Sequence, residues 1–163
     1  MFYFAYASNL DPEQMRERAP GHRVIGLAVL HDYRMGFPRY SQLWNGGVAS
    51  PQLAHGESLW GMLFEVTEHD LERLDVYEGF RAAGDQHNIY ERQQEFVELV
   101  RPDDGSVPRR LRAYLYFAHT SNPRPPSRRY LDAIIRGARA FQLPEDYIAQ
   151  LEAIPVEEEA GAG

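Results

Sequence analysis

The chain has no cysteine. That absence excludes disulfides, thiol nucleophiles and thiolate metal sites together. It fits a reducing compartment. Positive charge is also scarce: 17 Lys and Arg against 24 Asp and Glu give a formal net charge of −7. Such a balance argues against nonspecific partners such as nucleic acid or an anionic membrane, since both need a basic face. A small anionic substrate stays open, because one local pocket can oppose the net charge. Long apolar runs are missing, and no stretch approaches the length that spans a bilayer. Met1 to Leu10 is apolar but has no basic flank and is too short for a secretion signal. A cytoplasmic protein is therefore expected. The six histidines are scattered without a metal-ligand spacing such as H-x-x-x-H. Ser8 has no G-x-S-x-G context, which argues against a serine hydrolase. Asn45-Gly46-Gly47 lacks the length and the lysine of a phosphate loop.

What is present suits one domain over residues 1–155, followed by an acidic, Gly/Ala-rich tail at 156–163 that is expected to be disordered. There is no internal repeat. Phe2 to Ala7 reads as a buried strand ending in a turn at Ser8-Asn9. Arg23 to Leu30 and Tyr33 to Phe37 read as two further strands, and Leu59 to Val66 as a central one. Ile89 to Val100 is mixed in polarity, as at an edge. Leu111 to His119 alternates, with Leu111, Ala113, Leu115 and Phe117 on one face. Pro102–Pro108 and Ser121–Pro126 are proline-rich turns. Asp11-Pro12 opens a helix reaching Arg18. Thr67-x-x-Asp70 is a capping box that starts another, which Gly79 should stop. A third runs from Ser127 to Phe141 on a stripe of Tyr130, Ile134, Ala138 and Phe141. A short fourth begins at Pro144. The pattern is α+β: a small curled, mixed sheet with flanking helices and a C-terminal helical segment.

Two features carry chemistry. On a wheel of about 100° per residue, Leu71 and Leu74 define the inward stripe of the Thr67–Glu78 helix, while Glu72 and Arg73 point away. Glu78 lies seven residues after Leu71 and four after Leu74, inside that stripe. Burial and the negative end of the helix dipole both disfavour its charge, which raises its pKa toward the range of general acid/base work. The alternative is a frayed, solvated Glu78; Asp75, about 40° from Leu71, is also compatible with the wheel. The second feature is Tyr6-Ala7-Ser8-Asn9-Leu10, where a strand meets a capped helix. Such a joint presents unpartnered N–H groups to a carboxylate or an oxyanion. The plain alternative is a strand–turn–helix connection built from ordinary turn formers. The cluster Arg109, Arg110 and Arg112 reads as solvated strand edge, and His31 and His119 as structural residues at strand ends.

Together these segments resemble a known family. FYFAYASNL resembles the Tyr-Gly-Ser-Asn signature of the γ-glutamylcyclotransferase-like superfamily. SLWGMLFEV followed by LERLDVYEGF resembles its strand and Leu-Asp-x-x-Glu-Gly block, and PPSRRYLDAIIRGARAFQLPEDYIAQLEAI resembles the C-terminal helices of γ-glutamylcyclotransferase proper. The similarity extends from Phe2 to Ile154. It implies a curled barrel-like sheet, no metal and no organic cofactor. It selects Glu78 over Asp75 as the catalytic acid/base. It implies that Tyr6, Ala7, Ser8, Asn9 and Leu10 form the substrate loop, that Tyr130 reaches the pocket and that Tyr3 belongs to the pocket-forming strand. The implied reaction converts a γ-glutamyl-amino acid or γ-glutamyl amine to 5-oxoproline. Removal of a γ-glutamyl protecting group in secondary metabolism, and a non-catalytic binding member of the fold, are the competing readings; a homodimer is compatible with the family. One departure stands out: Ala7 occupies the place of the signature glycine. An alanine there keeps the N–H donor but resists positive φ and adds a methyl beside the ligand.

Overall fold

The computed structural model describes residues 1–100 and 108–158. The strands are β1 (Phe2–Ala5), β2 (Arg23–Ser41), β3 (Gly46–Glu65), β4 (Tyr90–Leu99) and β5 (Arg110–Ala118); the helices are α1 (Pro12–Arg18), α2 (Glu68–Glu78), α3 (Arg128–Ala140) and α4 (Glu145–Glu152). The strands close into a barrel in the order β1-β3-β2-β4-β5. Closure is by a parallel contact of β1 with β5, at Tyr3 opposite Tyr114, while the other pairings are antiparallel. The expected mixed, curled sheet is therefore a closed barrel, which leaves no free sheet edge around its ring. Phe4, Leu59, Leu63, Phe64 and Leu115 of the strands and Ile134 of α3 are all fully buried in one contiguous hydrophobic core that extends across both faces of the sheet.

The helix signals act as the sequence implies. Asp11 caps α1 by accepting from the Glu13 N–H, with Pro12 in the first turn. Thr67 and Asp70 form the reciprocal capping box of α2, and Gly79 ends it in the left-handed region at φ 66°, where an L side chain is strained. Asp70 also accepts from Gly21 N at 3.0 Å, tying α2 to the chain that follows α1. Ser127 caps α3.

The strand signals merge where two short strands were expected. Arg23–Leu30 and Tyr33–Phe37 belong to one long strand, β2, interrupted by an irregularity in the register between His31 and Tyr33. Asp32 takes a φ of 66° there, and its carboxylate accepts from Gly56 N on β3 at 2.9 Å. The strand expected at Leu59–Val66 extends back to Gly46. The result is a long hairpin arm that continues past the barrel and folds toward α3. The turn expected over Pro102–Pro108 lies outside the described residues up to 107. Of the expected tail, Glu157 is held: its N–H donates to Pro126 O at 2.7 Å, and its carboxylate pairs with Arg124. Residues 159–163 lie outside the described residues.

Helix α3 sits directly on the turn that follows β1. A Cβ built on Gly137 would stand 2.2 Å from the Leu10 carbonyl carbon and 2.4 Å from its oxygen. Only a residue without a side chain permits that approach, and it fixes the Ser8–Leu10 turn against the helix. Replacing Gly137 by Ala is expected to lower stability by about 1–3 kcal/mol, the usual cost of overpacking. Denaturant unfolding measures it, and an unchanged midpoint would show that α3 and the turn can separate without cost.

Candidate active site

A cavity of about 350 Å³ opens between the Ser8–Leu10 turn, the C-terminal end of α2, the hairpin arm and α3. Tyr3, Tyr6, Ala7, Ser8, Asn9, Glu78 and Tyr130 all line it. Leu10, expected in the same loop, does not; its side chain is fully buried beneath α3. The turn is a single 3₁₀ turn, closed by Leu10 N and Asp11 N donating to the Ala7 and Ser8 carbonyls. The N–H groups of Ser8 and Asn9 stand at its start, where a helical turn has no internal acceptor for them. Ala7 has a φ of −129°. No positive φ is needed at the position of the missing glycine, so alanine sits there without the left-handed penalty.

Glu78 ends α2 with its side chain 17 % exposed. Its Oε1 accepts from Asn9 Nδ2 at 3.3 Å and lies 3.9 Å from Arg18 Nη1. Burial pushes its pKa up, and the Arg18 charge and the Asn9 hydrogen bond oppose the rise; the result is about 7. Asp75, which the wheel left open, is committed elsewhere. Its Oδ2 pairs with Arg92 at 2.5 Å and its Oδ1 accepts from the Tyr116 hydroxyl at 2.7 Å. It anchors α2 to the barrel and leaves the cavity to Glu78. Arg73, expected to point away, instead donates to the carbonyls of Arg18 and Glu17 and clamps α1 to α2.

Asn9 is the hub. Its Nδ2 donates to the Tyr3 hydroxyl at 2.8 Å as well as to Glu78, and its Oδ1 accepts from Gln14 at 2.9 Å and Arg18 at 3.2 Å. The phenols around it differ in where their protons go. Tyr6 donates to Tyr116 O at 2.6 Å, and Tyr90 donates to Ala49 O at 2.9 Å. Both protons are committed to the scaffold. Tyr3 accepts from Asn9, and Tyr130 accepts from Ala49 N at 2.9 Å. Among the described residues, neither of these two protons has an acceptor. Burial raises the pKa of all four phenols, so each remains a neutral donor.

Several lining residues were not singled out from sequence. Arg18 was legible only as the cation that closes α1, with nothing to tie it to a glutamate sixty residues away. Trp44, which packs on Tyr130 with ring centroids 5.0 Å apart, and the preceding residues Ser41, Gln42 and Leu43 reach the cavity only because the hairpin arm folds back. Among the described residues no group of three or more His, Asp or Glu is arranged to hold a metal ion, and no helix is long and apolar enough to cross a membrane.

A closed α+β barrel with one helix-borne, proton-holding carboxylate in a tyrosine-lined pocket defines an enzyme of the γ-glutamylcyclotransferase-like fold. The chain belongs to the AIG2-like family, whose sequence model matches residues 58–151. Human γ-glutamylcyclotransferase is 30% identical over 156 residues, covering 93% of this chain and 77% of that protein. The mouse γ-glutamylcyclotransferase is 29% identical over 163 residues, covering 98% and 81%. A solved γ-glutamyl cyclotransferase superposes with a TM-score of 0.85 at 27% identity, over 99% of this chain and 91% of its own. YkqA from Bacillus subtilis shares the fold, with a TM-score of 0.72 at 21% identity, over 96% of this chain and 56% of its own.

The site makes stability depend on pH through Glu78. The folded carboxyl keeps its proton to about pH 7, against 4.5 for the ordinary group. Charging it therefore costs stability as pH rises from about 4.5 through 7. Glu78→Gln removes that cost. Relative to the wild type, the variant should gain stability between pH 4 and pH 8, by about 3 kcal/mol at most. Chemical denaturation at both pH values reads the difference; a gap that does not change with pH would mean a solvated Glu78.

Proposed function

We propose that the chain is a γ-glutamylcyclotransferase that converts a γ-glutamyl-amino acid or γ-glutamyl amine to 5-oxoproline and the released amine. The observation that carries this reading is Glu78: a carboxylate poised to exchange a proton near neutral pH, in a cavity of small-molecule size. The identity and coverage of the named relatives support the reaction class. The substrate supplies its own nucleophile. Its α-nitrogen attacks its γ-carbonyl carbon, the ring C–N bond forms, and the bond to the leaving nitrogen breaks. The pocket's task is to hold the bent conformer, which makes the attack intramolecular and is worth many orders of magnitude in rate.

One proton has to move from the attacking to the departing nitrogen. Free α-amines titrate near pH 8 and must lose a proton before attack. Glu78 takes it and returns it to the departing nitrogen. The N–H groups of Ser8 and Asn9 and the free phenol protons of Tyr3 and Tyr130 are the donors available to the α-carboxylate and to the oxyanion at the γ-carbon. Tyr6 serves as wall, because its hydroxyl is already engaged. Asn9 aligns Glu78 with Tyr3. No enzyme-bound covalent intermediate forms, since no side chain acts as nucleophile. A pure binding module would have little use for a carboxylate kept against burial, and no observation favours one.

Incubation with γ-glutamyl dipeptides and assay of 5-oxoproline tests the reading. Glu78→Gln should lose about a hundredfold or more in kcat while remaining folded, in the range of general-base contributions. Retained turnover would remove Glu78 from the mechanism. In the wild type, kcat/KM should rise through about pH 7 as Glu78 ionises, and fall again as the substrate ammonium is lost. The Arg18 charge opposes the rise of the Glu78 pKa. Arg18→Gln should therefore move the acidic limb to higher pH and leave a recoverable rate above it. An unmoved limb would show that Arg18 does not set this ionisation.

A further inference from the structure

The cavity has a second cationic side chain that the chemistry above does not use. Arg39, near the end of β2, lines the side of the cavity formed by the hairpin arm, with Leu43 and Trp44. Its Nη1 donates to the His119 carbonyl at 3.4 Å. The His119 N–H in turn donates to the carbonyl of Ile89 at 3.0 Å, and Ile89 also lines the cavity. The guanidinium is thus held against the segment that follows β5, next to the start of β4. Its backbone is fixed, since Arg39 pairs with Val48 and bridges to Ser121.

The two arginines of this cavity are in different states. Arg18 is occupied by Asn9 and Glu78 and lies over the Tyr77 ring. Arg39 has one long hydrogen bond to a carbonyl and, among the described residues, no carboxylate partner. The acid on the neighbouring strand, Glu91, pairs with His119 instead, at 3.0 Å. A γ-glutamyl-amino acid carries two carboxylates. The one on the glutamyl unit has donors within reach among the Ser8 and Asn9 N–H groups and the phenols of Tyr3 and Tyr130. The other, on the leaving amino acid, needs a cation in a protein whose net charge is −7. The neighbouring wall suits that group's remainder: Trp44 packed on Tyr130, and Leu43, whose backbone carbonyl is held by Arg129 at 2.6 Å.

We propose that Arg39 determines leaving-group specificity, holding the carboxylate of the departing amino acid at the cavity mouth and so favouring γ-glutamyl-amino acids over γ-glutamyl amines. This rests on the cyclotransferase reading. The contact is a charge-assisted hydrogen bond near solvent, so its contribution is modest and weakens with salt.

The test compares γ-glutamyl-L-alanine with γ-glutamyl-ethylamine, which differ only in the leaving group's carboxylate. With the wild type, the alanine substrate should have the higher kcat/KM, with the advantage shrinking as salt rises. Arg39→Gln should lose about tenfold on the alanine substrate, mainly through KM, and change little on the ethylamine substrate. Arg39→Lys, which keeps the charge, should recover part of the loss. Turnover of the ethylamine substrate reports that each variant is folded. An equal loss on both substrates, in Arg39→Gln and Arg39→Lys alike, or no loss on either, overturns the assignment. Absence of 5-oxoproline from both substrates with the wild type is a different failure: it removes the cyclotransferase reading itself.

Discussion

The side-chain amide of Asn9 joins parts of the chain that are far apart in sequence. One nitrogen donates both to Tyr3 on β1 and to Glu78 at the end of α2, and the oxygen accepts from Gln14 and Arg18 on α1. The amide is almost fully buried, so each of these bonds replaces one to water that burial removed. Most of what surrounds the cavity serves to keep Asn9 where it is. Gly137 lets α3 press on the turn that carries it, Asp11 caps the helix that follows, and Arg73 clamps that helix to α2. A shift of any of these elements would part Glu78 from the phenol and the loop amides it works beside.

The electrostatics follow from that placement. Glu78 sits where burial and the helix terminus both disfavour its charge, yet Arg18 and Asn9 prevent it from becoming a permanently neutral acid. The balance falls near neutrality, which suits a group that has to accept and return one proton in each cycle. Asp75, three residues earlier on the same helix, has a salt bridge and a phenol donor and no access to the cavity. The two carboxylates have opposite duties because their partners differ, although their helical positions are similar.

The tyrosines show the same division. Tyr6 and Tyr90 use their protons on carbonyls of the barrel and the arm, while Tyr3 and Tyr130 receive N–H bonds and keep theirs. Ala49 is the meeting point, with its N–H and C=O both taken by phenols. The arm that bears it thus becomes part of the pocket wall. This is how a turn with no apparent role in the sequence comes to face the reaction.

Local signals in the sequence determined the helices: the caps at Asp11, Thr67 and Ser127 and the stop at Gly79 act through neighbours within a few residues, so they could be read directly. Periodicity placed Glu78 inside the apolar stripe, and resemblance to a family distinguished it from Asp75. The sequence did not contain the continuity of β2 through Asp32, because its irregularity is held by Gly56 on another strand. Nor did it contain Arg18 beside Glu78, the folding back of Trp44 onto Tyr130, or the direction in which each phenol donates. Apart from the Tyr3–Asn9 bond, which spans six residues, those depend on contacts across forty to more than a hundred residues, which only the tertiary fold brings within range.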